Sequence, residues 1–304
     1  MPVDKYVGGI EHAATHLLYA RFITKALRDM GYLSFGEPFP SLFHQGIITG
    51  KDGKKMSKRD GAVSPDVLID QYGADVFRLY LGFGFFHVDG GPWDDVGINA
   101  IVRFVARIGK VLERYAALAA LAVVAASREV YKSLSPEAII RNADLEYVRH
   151  FTIKHVTDSL ECFSFNTAIA RIMEYLNAIQ KYQTQTQSGR SVEYEKALLE
   201  DLILLLAPLA PHLAEEMWEY IGNDYSVHNC LIPVCDEAKL ARNFVEIAVQ
   251  VNGTLRDVIE VDSNADEEAV KAVAAASDKV KTHLEGKEIK KVIYVKKKLV
   301  NIVC

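Results

Sequence analysis

The stretch from Gly50 to Gly61, which we call the lysine loop, reads GKDGKKMSKRDG and combines four lysines and an arginine with a glycine near each end. Lysine is a compact point charge on a flexible stem, which suits it to meet phosphate oxygens as they gain charge in a transition state. The glycines would let the segment move, so that Lys55 and Lys58 reach a nucleotide only once it is bound. A charge run of this kind is more often a solvated turn, and its spacing is not that of a Walker A loop. Phosphate binding is therefore a hypothesis that needs support from the rest of the chain.

A second candidate site lies near the start of the chain, in the sequence GGIEHAATH. The backbone N–H groups of Gly8 and Gly9 at a helix start could face a phosphate or ribose, with Glu11 accepting hydrogen bonds from sugar hydroxyls. Alternatively, Glu11 only complements the helix dipole and the histidines are buried. His12 and His16 have the spacing of a zinc pair on one helix face, but an alanine stands where a zinc protease has its general-base glutamate. We therefore predict no metal site and no structural zinc.

The bulk composition is that of a globular, reduced protein. The chain has 304 residues, of which 50% are hydrophobic and 25% charged, and its formal charge is −5. A wholly basic nucleic-acid coat is excluded, so any RNA contact must come from local patches, and no DNA partner is indicated. The cysteines include no C-x-x-C pair, and the most apolar run, Tyr115 to Ser127, is shorter than a membrane span. With no export signal at the start, we expect a cytoplasmic protein without a membrane partner.

The elements that must position these residues begin with an incomplete parallel sheet. Over residues 1–60, the pattern predicts a strand in DKYVGG, a helix in IEHAATHLLYARFITKALRDMGY and a second strand in PFPSLFHQGIIT before the lysine loop. A parallel sheet needs more strands than these, so another chain or a longer protein is expected to complete it. Residues 61–94 form a connecting region: a helix capped by Ser64 and Pro65 runs through YGADVFRLYLGFGF, and the turn-rich FHVDGGPWD follows it.

Two further domains follow. Over residues 95–230 the pattern is amphipathic helix, which predicts a bundle of four or five helices. Residues 241–304 predict a small ββαββ domain, in which Asn252-Gly253 joins the first two strands as a hairpin. The fold class is therefore α/β plus α, with a small α+β domain at the end.

The last domain carries a run of lysines: Lys287, Lys290, Lys291, Lys296, Lys297 and Lys298. Within an otherwise acidic protein these residues predict a strip that binds RNA phosphates. Lysines on edge strands also prevent edge-to-edge aggregation, which is the alternative reading.

Several stretches together resemble a known enzyme family. KMSKR between a strand and YGADVFRLY, preceded by GGIEHAATHLLYARF, is similar to the C-terminal half of a class I aminoacyl-tRNA synthetase. The first stretch resembles the family's GxDxxxxH signature, with Glu11 in place of aspartate, and the second its KMSKS loop. LLLAPLAPHLAEEMWEYIG and the tail VQVNGTLRD…HLEGKEIKKVIYV…KLVNIVC resemble bacterial-type leucyl-tRNA synthetases in particular. The likeness runs through the whole chain in order.

The resemblance implies an activity and its site residues. Family members join leucine to ATP as leucyl-adenylate and transfer the leucyl group to tRNA(Leu), with Mg2+ accompanying the nucleotide. Carried over by position, Lys55 and Lys58 would be catalytic and stabilise charge on the transferring phosphates, with Met56 and Ser57 beside the nucleotide. Gly8, Gly9, Glu11 and His16 would line the ATP pocket on the adenosine side. The bundle would be the anticodon-side domain, and the tail would bind tRNA.

The resemblance also implies what these residues lack. Arg59 stands where the family usually has serine. The first half of the nucleotide-binding fold, with the family's HIGH element, is expected in a remaining half of the synthetase, on the same chain or a separate subunit. The chain alone is therefore expected to be inactive, and an editing activity is not assigned to it. Two alternatives stay open: a module that only binds tRNA, and a synthetase-like paralogue without aminoacylation activity.

Overall fold

The chain folds as two units, Met1–Cys235 and Asp236–Cys304. The computed structural model describes residues 1–56, 63–126, 136–185, 190–240, 244–262, 265–284, 291–295 and 298–304. Each unit has its own hydrophobic core.

The first unit opens with a two-stranded parallel sheet. Strand β1 (Lys5–Gly9) pairs with β2 (Ser41–Gln45), in a register that sets Gly9 opposite Gln45. A 3-10 helix, Ile10–Ala14, and helix α1 (His16–Asp29) connect the two strands. The sequence predicts one helix here, but Thr15 interrupts it with φ −122° and ψ −104°, which is not a helical conformation. Gly31, at φ +85°, lies just after the end of α1, in a conformation that favours glycine.

A second parallel pair lies beside the lysine loop. Strand β3 (Ile47–Thr49) pairs with β4 (Gly90–Pro92), although the sequence predicts a single strand through PFPSLFHQGIIT and only turns at positions 90–92. Gly46 and Gly90 explain the break: a Cβ at either position would lie 2.1 Å from a backbone atom of the facing segment. Gly90 also has φ +72°, which an L side chain adopts at a cost. This close backbone approach ends one strand pair and starts the next.

The connecting helix is also interrupted. The predicted helix after Ser64 is two helices, α2 (Pro65–Tyr72) and α3 (Ala74–Gly84). Gly73 separates them with φ +86° and ψ 153°, which no helix tolerates. Pro65 begins α2 as predicted, but Ser64 makes no capping hydrogen bond and instead donates to Asp66.

Five helices follow in the described part of the first unit, in agreement with the predicted bundle. They are α4 (Ile98–Ala126), α5 (Pro136–Glu161), α6 (Phe165–Gln185), α7 (Val192–Leu206) and α8 (Pro211–Tyr220). Their apolar faces form one continuous core, with Tyr175, Leu176 and Leu198 fully buried near its centre. Tyr175 satisfies its hydroxyl by donating to the carbonyl oxygen of Leu198 at 3.1 Å.

Helix α3 is bonded to the bundle at the turn between α7 and α8. Asp75 accepts a hydrogen bond from the backbone N–H of Leu213, in the first turn of α8, and contacts the ring of His212 at 3.1 Å. Arg78, one turn further on, donates to the carbonyl oxygens of Pro208 and Leu209, both at 3.2 Å. These bonds satisfy helix-terminal groups that otherwise lack partners. The connecting region and the bundle therefore belong to one unit.

The second unit contains a four-stranded sheet in the order β6-β5-β8-β7. Its strands are β5 (Phe244–Val251), β6 (Thr254–Asp262), β7 (Lys291–Val295) and β8 (Leu299–Val303). Asn252 and Gly253 have φ +51° and +78°, so the predicted hairpin turn is confirmed. The single predicted helix is two, α9 (Glu267–Ala276) and α10 (Asp278–Leu284). They separate at Ser277, whose ψ of 129° is extended.

Candidate nucleotide-binding site

The carboxyl end of β1 and the start of the 3-10 helix form one side of the site. Gly8 and Gly9 are the last residues of β1, and Glu11 lies in the first turn that follows. The Glu11 side chain folds back over Gly9, where a Cβ would come within 2.3 Å of the carboxylate. A side chain at position 9 would therefore displace the Glu11 carboxylate from its place over the strand end.

The lysine loop reaches the same place. Lys55 Nζ lies 3.7 Å from Glu11 Oε1. The pKa of Glu11 is lowered, first by a hydrogen bond to its own backbone N–H and then by the charges of Lys55 and His12. The carboxylate is thus ionised at neutral pH and able to accept hydrogen bonds. The structure brings together Gly9, Glu11 and Lys55 from the two stretches that the sequence singles out.

The two histidines do not form a zinc pair on one helix. Thr15 separates them: His12 precedes it in the 3-10 helix, and His16 begins α1. His12 Nδ1 contacts the Thr15 hydroxyl at 3.2 Å, whereas His16 Nδ1 contacts the Tyr6 hydroxyl at 3.1 Å. Within the residues that the structure describes, no group of three or more His, Cys, Asp or Glu side chains could hold a metal ion.

Residues 50–54 form a tight turn. The backbone N–H of Gly50 donates to the carbonyl oxygen of Lys54 at 2.8 Å, and Gly53 turns the chain at φ +75°. An open groove of about 690 Å³ lies beside this turn. The residues that line it include Lys51, Lys55, Met56, Trp93 and Asp95. Met56 also packs against the core of the first unit. A cationic groove of this size, with glycine backbone at its rim, is suited to a polyphosphate.

Two predicted site residues, Ser57 and Lys58, lie outside the described residues. The sequence analysis missed three that the structure adds beside the loop: Lys51, Trp93 and Asp95. Asp95 Oδ2 accepts from Lys51 Nζ at 2.6 Å, and Asp95 Oδ1 accepts from Trp93 Nε1 at 2.8 Å. The signal was the sequence GGPWDD, in which the pattern predicts only the end of a turn and the start of the bundle. Its pairing with β3 is what brings it to the loop.

Of the predicted tRNA-binding lysines, only Lys291 and Lys298 lie within the described residues. Both are exposed. Lys291 begins β7, which is an edge strand of the four-stranded sheet, so both readings of the lysines fit its position. Ile293 and Val295, which alternate with the partly buried Val292 and Tyr294 on the same strand, are 39% and 42% exposed. The sheet face away from α9 and α10 is therefore partly apolar. The remaining four, Lys287, Lys290, Lys296 and Lys297, lie outside the described residues.

Two known families match parts of the chain. Residues 1–85 match the family described as tRNA synthetases class I (I, L, M and V). Residues 144–272 match the family described as anticodon-binding domain of tRNA ligase. The chain belongs to the class I aminoacyl-tRNA synthetases.

Within that class, relatives at about 50% identity are leucine–tRNA ligases. The chain is 52% identical over 304 residues to the leucine–tRNA ligase of Caldanaerobacter subterraneus subsp. tengcongensis. It is 49% identical over 306 residues to that of Clostridium perfringens (strain SM101). Both alignments include 100% of this chain but 36% of the relative, so the chain spans about a third of the length of these proteins.

A solved structure has a similar fold over the whole chain. It is the ternary complex of Agrobacterium radiobacter K84 agnB2 LeuRS with tRNA and LeuAMS. The TM-score is 0.69 and the identity 31%, with 100% of this chain and 37% of that chain covered. The resemblance stated from the sequence is confirmed, and so is the fold class. Among the described helices, none is both long and apolar enough to cross a membrane.

Proposed function

We propose that this chain is part of a leucine–tRNA ligase, which activates leucine with ATP and transfers it to tRNA(Leu). The observation that carries the proposal is the contact of Glu11 with Lys55, because it joins the two family motifs at one groove. Gly8, Gly9, Glu11 and His16 would bind the adenosine side of ATP. Lys55 and Lys58 would stabilise the charge that develops on the transferring phosphates, next to Met56 and Ser57.

Magnesium enters this proposal with ATP, as part of the substrate. Phosphate charge must be neutralised from several directions, and lysines supply part of that neutralisation. The groove residues fit this role, since Lys51 and Lys55 face it together with the carboxylate of Asp95. In this proposal the groove residues orient the triphosphate and stabilise its negative charge.

The first unit also carries a surface that suits the remaining half of the enzyme. Helix α1 carries a row of large apolar residues that are between 54% and 68% exposed: Leu18, Tyr19, Phe22 and Ile23. A helix of a parallel α/β domain normally buries such a row against the sheet. Strand β1 has only β2 as a partner in the described sheet. We propose that further strands and helices of the same enzyme cover this face.

Complementation tests the catalytic part. The chain alone is expected to show no leucine-dependent exchange of pyrophosphate into ATP. Exchange is expected when the chain replaces the matching residues of the Caldanaerobacter subterraneus enzyme in a chimera, because the chimera supplies the remaining strands. A chimera that folds but stays inactive would contradict the proposal, and so would robust exchange by the chain alone.

We also propose that the bundle at 95–230 lies on the anticodon side and that residues 241–304 bind tRNA. The chain alone is then expected to bind tRNA with a strong salt dependence, measured by filter binding. Each lysine–phosphate contact contributes about −0.7 to −0.9 to the slope of log K against log salt. Replacing Lys291 and Lys298 together by alanine should make the slope less negative by about 1.4 to 1.8.

A matched control for this experiment is Lys271→Ala. Lys271 lies in the same unit but is paired with Glu267 on α9 at 2.5 Å. Its removal should leave the slope unchanged. Equal slopes for all variants would assign the lysines to edge protection instead.

The alternatives are a module that only binds tRNA and a paralogue without aminoacylation activity. The relatives reported above are named as ligases and match the full chain, so the ligase reading is favoured over both. The exchange activity of the chimera separates them. We expect the complete enzyme to act in the cytoplasm.

A further inference from the structure

Asp95 occupies a specific position beside the lysine loop. It lies between β4 and α4, and each of its carboxylate oxygens has a different partner. Oδ1 accepts a hydrogen bond from Trp93 Nε1 at 2.8 Å, and Oδ2 accepts from Lys51 Nζ at 2.6 Å. The pKa of Asp95 is lowered by these two bonds, that to Lys51 first. The carboxylate thus links a residue of the loop to a residue outside it.

The Trp93 end of this link is rigid. Trp93 is 8% exposed, and it packs edge-on against Tyr80 and parallel to Phe85, with ring centroids 5.2 and 6.1 Å apart. Its backbone N–H donates to the carbonyl oxygen of Thr49 at 2.8 Å, which continues the pairing of β3 with β4. Packing on both sides restricts the indole, so Trp93 orients the carboxylate of Asp95.

The Lys51 end is mobile in comparison. The Lys51 side chain is 73% exposed and lies in the turn between Gly50 and Lys54. Lys55, four residues on, also lines the groove, and its Nζ lies 3.7 Å from Glu11 Oε1. Two carboxylates on different elements therefore contact two lysines of one short segment. Asp95, which precedes α4, contacts Lys51, and Glu11, which follows β1, contacts Lys55.

We propose that Asp95, oriented by Trp93, is a positioning residue that holds the start of the Gly50–Gly61 loop through Lys51 and so keeps Lys55 at the groove. The catalytic consequence rests on the function proposed above, whereas the structural consequence does not. The equilibrium in question lies between loops with Lys51 paired to Asp95 and loops without that pair. An exposed ion pair shifts it only modestly. The expected change in the fraction of correctly placed loops is about threefold to fivefold.

Limited trypsin digestion of the chain tests the structural consequence. The loop contains five trypsin sites, at Lys51, Lys54, Lys55, Lys58 and Arg59. Asp95→Asn keeps an oxygen for Trp93 Nε1 but removes the charge that attracts Lys51. Cleavage in the loop, followed by mass spectrometry, is expected to accelerate about threefold to fivefold, as opening becomes more frequent. Asp95→Glu, which keeps the charge, should restore part of the protection.

Asp94→Asn is the matched control. It makes the same charge change one residue away, and its side-chain oxygen can still accept from the backbone N–H of Val96. Asp94 acts on Lys51 only through a weaker electrostatic effect, so loop cleavage in Asp94→Asn should change much less than in Asp95→Asn. Tryptophan fluorescence checks that each variant is folded. Unchanged cleavage in Asp95→Asn, or equal acceleration in Asp94→Asn, would overturn the proposal.

The catalytic consequence is measured in the chimera. Asp95→Asn should raise the KM for ATP in pyrophosphate exchange about threefold to fivefold and leave the KM for leucine unchanged. Faster cleavage with an unchanged KM for ATP would overturn the catalytic role of Asp95 and leave the proposed function intact. If the unmodified chimera lacked exchange, the proposed function would fail, and the digestion result would still decide whether Asp95 holds the loop.

Discussion

Replacing Lys55 by alanine in the active chimera is expected to lower kcat for leucine-dependent pyrophosphate exchange by on the order of 100-fold to 1000-fold. Lys55 is placed to act because its ammonium group lies at the groove beside Glu11 and is 68% exposed, free to turn toward a phosphate. The charge that it would stabilise appears only as the bond to pyrophosphate breaks. The KM for leucine should therefore change little, since the interaction is made in the transition state.

Lys25→Ala is the control for this experiment. Lys25 lies on α1 and pairs with Glu37 at 3.0 Å in an exposed position, so its removal changes the net charge by the same amount. Its exchange rate should stay within about twofold of the unmodified chimera. Lys58→Ala is expected to resemble Lys55→Ala, since both follow from the same motif. If Lys55→Ala and Lys25→Ala had the same kcat for pyrophosphate exchange, Lys55 would not be a catalytic residue.

Replacing Arg149 by methionine is expected to lower the free energy of unfolding of the first unit by about 3–5 kcal/mol. Arg149 lies inside the bundle and donates from Nε to Asp201 Oδ2 at 2.6 Å and from Nη1 to Glu146 Oε1 at 3.3 Å. Burial is the largest single effect on the pKa of Arg149 and lowers it, but the hydrogen bond to Asp201 and the nearby negative charges together outweigh burial, so the pKa is raised. Without Arg149, the carboxylate of Asp201 is left buried and without its cation.

Urea unfolding monitored by tryptophan fluorescence measures this loss. The chain has two tryptophans, Trp93 and Trp218, and both lie in the first unit, so the signal reports that unit alone. Lys196→Ala is the control, because Lys196 contacts Glu200 at 3.9 Å on the same helix as Asp201 but in a more exposed pair. The free energy of unfolding of Lys196→Ala should lie within about 0.5 kcal/mol of that of the unmodified chain. A similar cost for the two variants would contradict the assigned role of the buried pair.

The pH dependence of the Arg149 variant should follow Asp201. Burial raises the pKa of Asp201, against the opposing effect of Arg149, so removing Arg149 should raise it further. When a group has a higher pKa in the folded state than in the unfolded state, the free energy of unfolding falls as the pH rises through the folded-state pKa. The deficit of Arg149→Met should thus be larger at neutral pH than near pH 5. Adding Asp201→Leu should recover most of the deficit, because both charges are then absent.

Much of the architecture is encoded in local sequence patterns. The helical periodicity of residues 95–230 predicts the bundle, and the Asn252-Gly253 pair predicts a hairpin turn with two positive φ angles. Patterns of this kind depend on residues that are close in the chain. The interruptions at Thr15, Gly73 and Ser277 were not predicted, because each lies within a run whose apolar spacing continues on both sides. Backbone conformation at those three positions depends on packing against distant segments.

By itself, the sequence determined the family, the fold class and the two stretches that carry the candidate site. It did so because the KMSKR loop and the glycine-rich opening turn are short motifs whose residue types alone are informative. Only the tertiary structure decided that Glu11 meets Lys55 and that Trp93 and Asp95 stand beside Lys51. Those contacts depend on the register of β1 with β2 and of β3 with β4, which join segments far apart in the chain. A strand pair that shifts by one residue turns each side chain to the opposite face, so no local pattern specifies which groups meet.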